Sequence, residues 1–281
     1  MADEFYSTAD HLSPSTPAVA VIIPAYNEER LIVDTLQALQ DQEFDAPLHR
    51  EVLHGFRVVV VDNNSTDRTP DLVREFIEAG TRFPTELISE TEKGSGCAAD
   101  TGARHAIASG ARYIARTDAD SHPAPDWLAT LLIPLFAGKR LVGGRVKARD
   151  DEDVSPFLFN AVGKLWRVGH AVEYLRTARG PAVARRSFAV VGNNMAIDVE
   201  MYLESGGFPR TRIDDTDEDA VLQARVRKLV GSKGIALQKH AIVFTSQRRQ
   251  QAFGVRDTIK WYSGNRASSG LTADIRAAEP R

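Results

Sequence analysis

The chain has 281 residues, of which 43% are hydrophobic and 26% are charged, proportions that are typical of a folded globular protein. Thirty-five Lys and Arg residues against 38 Asp and Glu residues give a net charge of −3, and this near balance argues against a general nucleic-acid-binding protein. The single cysteine, Cys97, excludes a disulfide within this chain and fits a reducing compartment.

The beginning of the sequence is acidic and has no apolar stretch, so we expect no secretory signal there and a flexible arm over residues 1–17. No segment approaches the roughly 20 apolar residues that a membrane-spanning helix requires. We therefore predict a cytoplasmic location and leave open a peripheral contact with the inner face of a membrane. The oligomeric state is not indicated by the sequence.

Strands and helices alternate over the first 120 residues. Unbroken or short apolar runs predict strands over residues 19–24, 56–61, 87–89 and 113–117. Helical spacing of apolar residues, with turn residues at the ends, predicts helices over residues 28–40, 69–80 and 97–109. Asn27 is expected to cap the first helix, and Thr69 is expected to cap the second, with Pro70 in its first turn.

The alternation is weaker after residue 121, where helices are expected over residues 127–136, 157–175 and 219–229 and strands over residues 141–147, 190–196 and 242–245. Strand–helix alternation favours an α/β fold, with a Rossmann-like, mostly parallel central sheet and helices on both faces. We expect one domain.

Polar residues cluster where the first four strands end, after Pro24, Val61, Ser89 and Thr117. Ligands of parallel α/β sheets bind at the carboxyl ends of the strands. These clusters therefore predict one shared binding site at that edge of the sheet.

Asp118 and Asp120 follow the fourth strand with one residue between them. Two carboxylates in this position suit a hard divalent cation such as Mn²⁺ or Mg²⁺, which prefers oxygen ligands and accepts phosphate in its shell. A solvated acidic turn is the alternative interpretation, because such pairs are common. The position after a buried strand favours the metal site.

Two further strand ends offer groups that suit a nucleoside. Tyr26 presents a flat ring for stacking, and Asp62 can accept a hydrogen bond from a base or a ribose hydroxyl. An ordinary capped turn would also explain Asn27 and the residues from Ser65 to Asp67.

Three motifs occur in order: P-A-Y-N-E at residues 24–28, D-N-N-S-T-D at 62–67 and D-A-D at 118–120. Together they resemble the family 2 glycosyltransferases of the GT-A fold, over residues 19–249. The resemblance implies an inverting transfer of a sugar from a nucleoside-diphosphate sugar to an acceptor hydroxyl.

The resemblance also implies roles for individual residues. Asp219 matches the general base, with Glu218 beside it. Asp118 and Asp120 match the metal ligands, and His240 is considered as a third ligand, with a plain surface histidine an equal alternative. The residues expected at the nucleotide sugar are Pro24, Tyr26, Asn27, Glu28, Asp62, Asn64, Lys93, Gly94, Asp118, Ala119, Asn194 and Arg248.

The family pattern has two departures here. Ala99–Asp100 stands where an Arg-Asn pair is common, so one donor contact is either lost or supplied by Arg104. Val221 stands where a second acidic residue is common.

The implied partners are a UDP-, GDP- or TDP-sugar as donor and a small molecule, a glycan or a lipid-linked molecule as acceptor, with no nucleic acid. The implied division is a nucleotide-sugar-binding half over residues 18–121, an acceptor-binding and catalytic half over residues 122–250, and a tail over residues 251–281.

Three other functions fit the sequence less well. A sugar-1-phosphate nucleotidyltransferase would be expected to begin with a Gly-rich phosphate loop, and residues 24–30 contain no glycine. A nucleotide-sugar-binding protein without catalysis is disfavoured by the presence of Asp118, Asp120 and Asp219. A dinucleotide-dependent oxidoreductase lacks the expected G-x-G-x-x-G motif after the first strand.

Overall fold

A computed structural model describes residues 18–44, 55–150, 190–210 and 218–248, together with isolated positions between 152 and 180. The arm expected over residues 1–17 and the tail expected over residues 251–281 lie outside the described residues. So does the helix expected over residues 157–175, apart from a few of those isolated positions.

Eight strands form one sheet in the order β3-β2-β1-β4-β7-β6-β8-β5. Strands β3, β2, β1 and β4 are parallel neighbours, and β6 is parallel to β8. Strand β7 is antiparallel to both β4 and β6, and β5 is antiparallel to β8. The strands are β1 (Val19–Ala25), β2 (Arg57–Asp62), β3 (Thr85–Ser89), β4 (Tyr113–Thr117), β5 (Ser121–Pro123), β6 (Leu141–Ala148), β7 (Asn194–Asp198) and β8 (Ile235–Thr245).

Neighbouring side chains of a strand point to opposite faces of the sheet. Apolar side chains lie on both faces of this sheet, and helices cover both. Val21 and Ile23 of β1 face one apolar cluster with α1, α2 and α4, whereas Ile22 faces a second cluster with α3, α5 and α6. The helices are α1 (Ile32–Gln40), α2 (Thr69–Glu78), α3 (Ser95–Ala108), α4 (Trp127–Phe136), α5 (Val199–Glu204) and α6 (Glu218–Val230).

The α/β architecture with a sheet that is parallel at its centre is as the sequence predicts. Strand β4 and helix α4 have the predicted bounds. Across the ranges that the structure describes, no helix has the length and apolarity needed to cross a bilayer.

The start of α1 differs from the prediction. The helix begins at Ile32 with Leu31 in the N-cap position, so Asn27 is not its cap. Asn27 instead adopts a left-handed backbone with φ of 53°, and its side-chain oxygen accepts a hydrogen bond from the Thr66 amide at 2.8 Å. The asparagine joins the loops that follow β1 and β2.

Two strands of the second half also differ. Strand β7 begins at Asn194 rather than at residue 190, because the preceding residues form a turn at Gly192 and Asn193. Strand β8 begins at Ile235, seven residues before the predicted start. Its first half is half-exposed and has only the short apolar run of residues 235–237, and pairing with β6 establishes it as a strand.

Helix α3 presents a face of small residues to the sheet. Ala98, Ala99, Gly102 and Ala103 are buried there. A Cβ atom added at Gly102 would lie 2.8 Å from the Val61 side chain. The close approach of helix and sheet therefore depends on the absence of a side chain at residue 102.

We predict that Gly102→Ala destabilises the protein. A Gly-to-Ala change inside a helix ordinarily adds about 0.5–1 kcal/mol of stability, because glycine loses more backbone entropy. Here the methyl group must displace the side chain of Val61, and we expect a net loss of about 1–3 kcal/mol in the free energy of unfolding, measured in urea.

Ala108→Gly, at the exposed last residue of the same helix, is the matched control and should cost no more than about 1 kcal/mol. A gain in stability for Gly102→Ala would show that α3 does not press on the sheet at this point.

Candidate active site

The site lies at one edge of the sheet. Strands β1, β2, β3 and β4 run in the same direction, so their carboxyl ends share this edge. Because β7 is antiparallel to β4, Asn194 at the start of β7 pairs with Thr117 at the end of β4. Residues from both halves of the chain therefore meet here.

A buried arginine stands at the centre of this edge. Arg116 is the next-to-last residue of β4, and only 3% of its side-chain surface is exposed. Its Nη2 donates to Ser95 Oγ at 2.9 Å, to Glu218 Oε1 at 2.9 Å and to Asp118 Oδ1 at 3.3 Å. The guanidinium carbon lies 5.3 Å from the centroid of the Phe208 ring.

The environment of Arg116 favours its charged form. Burial alone would lower the pKa of the guanidinium, but the carboxylates of Asp118, Glu218 and Asp219 raise it above its ordinary value. Arg116 is therefore a permanent positive charge beneath a group of acidic residues.

Glu218 opens helix α6 and bonds directly to this charge. Burial raises the pKa of Glu218, but the Arg116 charge and the hydrogen bond from Ser95 lower it more, so that the net pKa is below the ordinary value. Glu218 is therefore ionised at neutral pH and acts as the counter-charge of Arg116.

Asp219 is held by backbone amides rather than by a cation. Its Oδ2 accepts a hydrogen bond from the Gly192 amide and its Oδ1 accepts one from the Ala220 amide, both at 2.7 Å. Burial and the neighbouring Glu218 raise the pKa of Asp219 above its ordinary value, against the lowering effects of Arg116 and the two amides. Asp219 is thus a fixed carboxylate with increased affinity for a proton.

Asp118 and Asp120 follow β4 and lie beside this group. Burial raises the pKa of Asp118 to about 6, the Arg116 charge opposes that rise, and the charges of Asp120 and Glu218 add to it. The Asp118 side chain keeps 39% of its surface accessible, so it can still meet a ligand.

A second guanidinium holds Asp120 from the other side. Arg248 Nη2 donates to Asp120 Oδ2 at 3.0 Å and to the two carboxylate oxygens of Glu28 at 2.7 and 3.0 Å. Glu28 is buried and follows β1. Arg248 therefore joins the end of β1 to the acidic pair.

The ends of β1 and β2 are tied together by the loops that follow them. Asp62 Oδ1 accepts a hydrogen bond from the Ser65 amide at 3.2 Å, and Ser65 Oγ accepts one from the Asn27 amide at 3.0 Å. Pro24 and Tyr26 are half-buried at the end of β1.

Two asparagines shape the loop after β3. Asn63 and Asn64 donate side-chain amides to the carbonyl groups of residues 90–92 at 2.7–3.1 Å. Asn63 Oδ1 also accepts a hydrogen bond from the Gly94 amide at 2.8 Å. Lys93 is exposed at the tip of this loop.

Comparison with known proteins identifies the family. The model of the family described as "Glycosyl transferase family 2" matches residues 20–191, more than half of the 281 residues. The chain belongs to glycosyl transferase family 2.

Relatives with curated names agree with this assignment. Glycosyltransferase AglE of Haloferax volcanii is 34% identical over 137 residues, which cover 48% of this chain and 41% of that protein. A UDP-N-acetylglucosamine–dolichyl-phosphate N-acetylglucosaminyltransferase of Methanococcus voltae is 29% identical over 142 residues, 46% of this chain and 52% of that protein. The chain thus spans about half the length of the curated relatives that it matches.

Solved structures share the fold. The mannosyltransferase PcManGT of Pyrobaculum calidifontis, in complex with GDP-Man and Mn²⁺, superposes with a TM-score of 0.58 and 26% identity, over 82% of this chain and 57% of that chain. TarS of S. aureus, in complex with UDP-GlcNAc, superposes with a TM-score of 0.55 and 16% identity, over 82% and 58%, and this likeness concerns the fold alone.

The family assignment implies a divalent cation, and Asp118 and Asp120 fit one. The charge of Asp120 raises the pKa of Asp118, so the two carboxylates interact, and each also binds an arginine, Asp118 to Arg116 and Asp120 to Arg248. No third His, Cys, Asp or Glu completes a cluster with them among the residues described. A cation held here would take its other ligands from diphosphate or water, as Mg²⁺ sites commonly do.

The structure does not bring His240 to this pair. His240 is exposed and lies within β8, five residues before the strand ends at Thr245. It lies between Leu237 and Ile242, where the pairing of β8 with β6 shifts register, and it forms no metal-binding cluster with Asp118 and Asp120 among the described residues. The bland interpretation, a surface histidine, is the one that fits.

Asn194 is also placed differently from the role that the resemblance implies. Its side chain is fully buried, accepts a hydrogen bond from Trp127 Nε1 at 2.9 Å, and donates to the carbonyls of Arg145 and Ala241 at 3.1 Å. These bonds join α4, β6, β7 and β8. Ala119 is likewise buried, and its carbonyl accepts a hydrogen bond from Thr35 at 2.9 Å.

The sequence pattern did not single out Arg116, Ser95 or Asn63. A signal for Arg116 was present, since it is the only charged residue in β4 and a charge in a buried strand requires a partner. Asn63 stands between Asp62 and Asn64, which are both expected at the nucleotide sugar. Ser95 carried no signal, because its role depends on Glu218, which is 123 positions away.

We predict that Asn194→Ala destabilises the protein by about 2–4 kcal/mol, because it leaves the Trp127 donor and two buried carbonyls without a partner. The free energy of unfolding in urea measures this. Trp127→Phe removes the indole donor and part of a fully buried ring, so it should also destabilise the protein, but Asn194 keeps its bonds to the two carbonyls. Unchanged stability of Asn194→Ala together with lost nucleotide-sugar binding would restore the ligand role.

Proposed function

We propose that this family 2 protein transfers a sugar from a nucleoside-diphosphate sugar to an acceptor hydroxyl, with inversion at the anomeric carbon and with Asp219 as general base. One observation carries the proposal: Arg116 bonds both Asp118 of the strand-end pair and Glu218 beside Asp219. A pair suited to a metal-bound diphosphate and a carboxylate suited to proton transfer therefore belong to one site.

The donor would lie along the carboxyl ends of β1, β2 and β3. Tyr26 and Asp62 would meet the nucleoside, and Lys93 would meet the diphosphate. A lysine is a compact positive charge with three donors, which suits phosphate oxygens. Arg248, which now holds Asp120 and Glu28, would be the second cation near the diphosphate.

Asp118 and Asp120 would hold Mn²⁺ or Mg²⁺ at the diphosphate. The cation would neutralise the charge that develops on the nucleoside diphosphate as it leaves. Mn²⁺ accompanies GDP-Man in the related mannosyltransferase structure, which supports a divalent metal for this chain.

Asp219 would accept the proton of the acceptor hydroxyl. As the oxygen forms its bond to the anomeric carbon, the bond from that carbon to the diphosphate oxygen breaks, and attack from the opposite side inverts the configuration. The raised pKa of Asp219 makes it a stronger base than an ordinary aspartate, and the amides of Gly192 and Ala220 fix its direction.

The relatives support UDP- and GDP-sugars as first donors to test. These relatives include an enzyme named for UDP-N-acetylglucosamine and dolichyl phosphate and a mannosyltransferase in complex with GDP-Man. A lipid-linked acceptor thus joins glycans and small molecules as classes to test.

The experiment is a thermal-shift panel of UDP-, GDP- and TDP-sugars with and without Mn²⁺, at pH 7.5, above the pKa of Asp118. A ligand that binds only the folded state raises the unfolding temperature. At 100 times its Kd, such a ligand stabilises the folded state by about 2.7 kcal/mol. We expect Mn²⁺-dependent stabilisation by at least one sugar nucleotide, lost in Asp118→Asn.

Asp219→Asn is the matched test of the base, since it keeps the shape of the side chain. We expect donor binding to survive and turnover to fall by about 10²–10⁴-fold. Stabilisation by none of the donors would refute the proposal. Release of sugar-1-phosphate with added pyrophosphate would instead support a nucleotidyltransferase.

A further inference from the structure

Arg210 has no role in the proposed reaction, yet its guanidinium bonds several acidic and polar side chains. It follows the turn at residues 206–209, and its Nη2 donates to Glu90 at 2.8 Å and to Glu92 at 2.9 Å. Its Nη1 donates to Thr101 at 3.0 Å and lies 3.5 Å from Asp100. The planar fork therefore joins the loop after β3, helix α3 and the turn that follows α5.

The carboxylates that bind Arg210 accept further hydrogen bonds from neighbouring residues. Burial raises the pKa of Glu90, but the hydrogen bonds from Thr101 and Arg210 and from the Glu92 amide lower it to about 2. Asp100 is fully buried and also accepts hydrogen bonds from Tyr202 and from Arg104. Arg104 is thus bound to its own helix and does not extend toward the donor.

Each of the two segments that Arg210 joins carries a residue that belongs to the proposed site or contacts it. The loop from Glu90 to Gly94 carries Lys93. The turn carries Phe208, whose ring packs on Arg116 and whose amide donates to Tyr202 Oη at 3.1 Å, and the carbonyl of Gly207 accepts a hydrogen bond from Arg225 at 3.1 Å. Arg225 supports the turn alone, whereas Arg210 also reaches the Lys93 loop.

We propose that Arg210 is a positioning residue for donor binding: it fixes the Lys93 loop against the turn that covers Arg116, so that Lys93 is presented to the diphosphate. This inference rests on the proposed function. Arg210 need not touch the sugar nucleotide, because its N–H groups are directed to acceptors within the protein.

The test is the binding of UDP, GDP and TDP in the presence of Mn²⁺, measured by titration calorimetry on the full chain, with the KM for the donor and kcat measured in parallel. We expect Arg210→Gln to weaken nucleotide binding and raise the donor KM about tenfold, the scale of one lost charge-assisted contact, while kcat changes less than twofold. Arg225→Gln, which loosens the same turn but not the loop, should bind nucleotide as the wild type does.

A double variant separates positioning from general loosening. If Arg210 acts through Lys93, Arg210→Gln should add nothing to the loss already caused by Lys93→Gln. Arg210→Lys keeps the charge but not the fork, so it should show an intermediate loss, and it serves if Arg210→Gln does not fold.

The outcomes distinguish the two proposals. Wild-type protein that binds none of UDP, GDP and TDP in the presence of Mn²⁺ would contradict the proposed function itself. Three other results would overturn the role of Arg210 and leave the proposed function standing. These are unchanged nucleotide binding in Arg210→Gln, an equal loss of binding in Arg225→Gln, and additive losses in the double variant.

Discussion

The arrangement of the site depends on one buried ion pair, between Arg116 and Glu218. Removing a guanidinium and a carboxylate from water costs several kcal/mol for each ion, and their attraction offsets that cost only where further hydrogen bonds complete the geometry. Ser95 supplies one, because its hydroxyl accepts from Arg116 and donates to Glu218. Asp118 supplies a second carboxylate on the same nitrogen.

This pair explains how distant parts of the chain form one site. Arg116 is the next-to-last residue of β4 and Glu218 begins α6, 102 positions later, so the bond places Asp219 beside the strand end that carries the acidic pair. Arg248 does the equivalent on the other side by joining Asp120 to Glu28. Each aspartate of the pair is thus held by its own arginine, one from each direction, and the carboxylates can lie close together without excessive repulsion.

How much was predictable follows from the kind of signal each residue carried. Strand β4 and helix α4 were predicted to the residue because their apolar runs are clear. Motifs point to Asp118 and Asp219 as site residues, and Arg116 links their two segments by bonding Asp118 and Glu218. His240 and Asn194 show the limit: a motif gives the order along the chain, but not how far along a strand a residue lies or which way its side chain points. Arg116 was missed because partners far apart in sequence leave no local pattern.

The most direct test of this account is a double-mutant cycle on the free energy of unfolding, with Arg116→Met, Glu218→Gln and the double variant measured in urea. Arg116→Met should cost about 3–5 kcal/mol, because it leaves carboxylates buried without a counter-charge. Adding Glu218→Gln should recover part of that loss, with a coupling energy of about 1–3 kcal/mol. Strictly additive losses would contradict the claim that this ion pair organises the site.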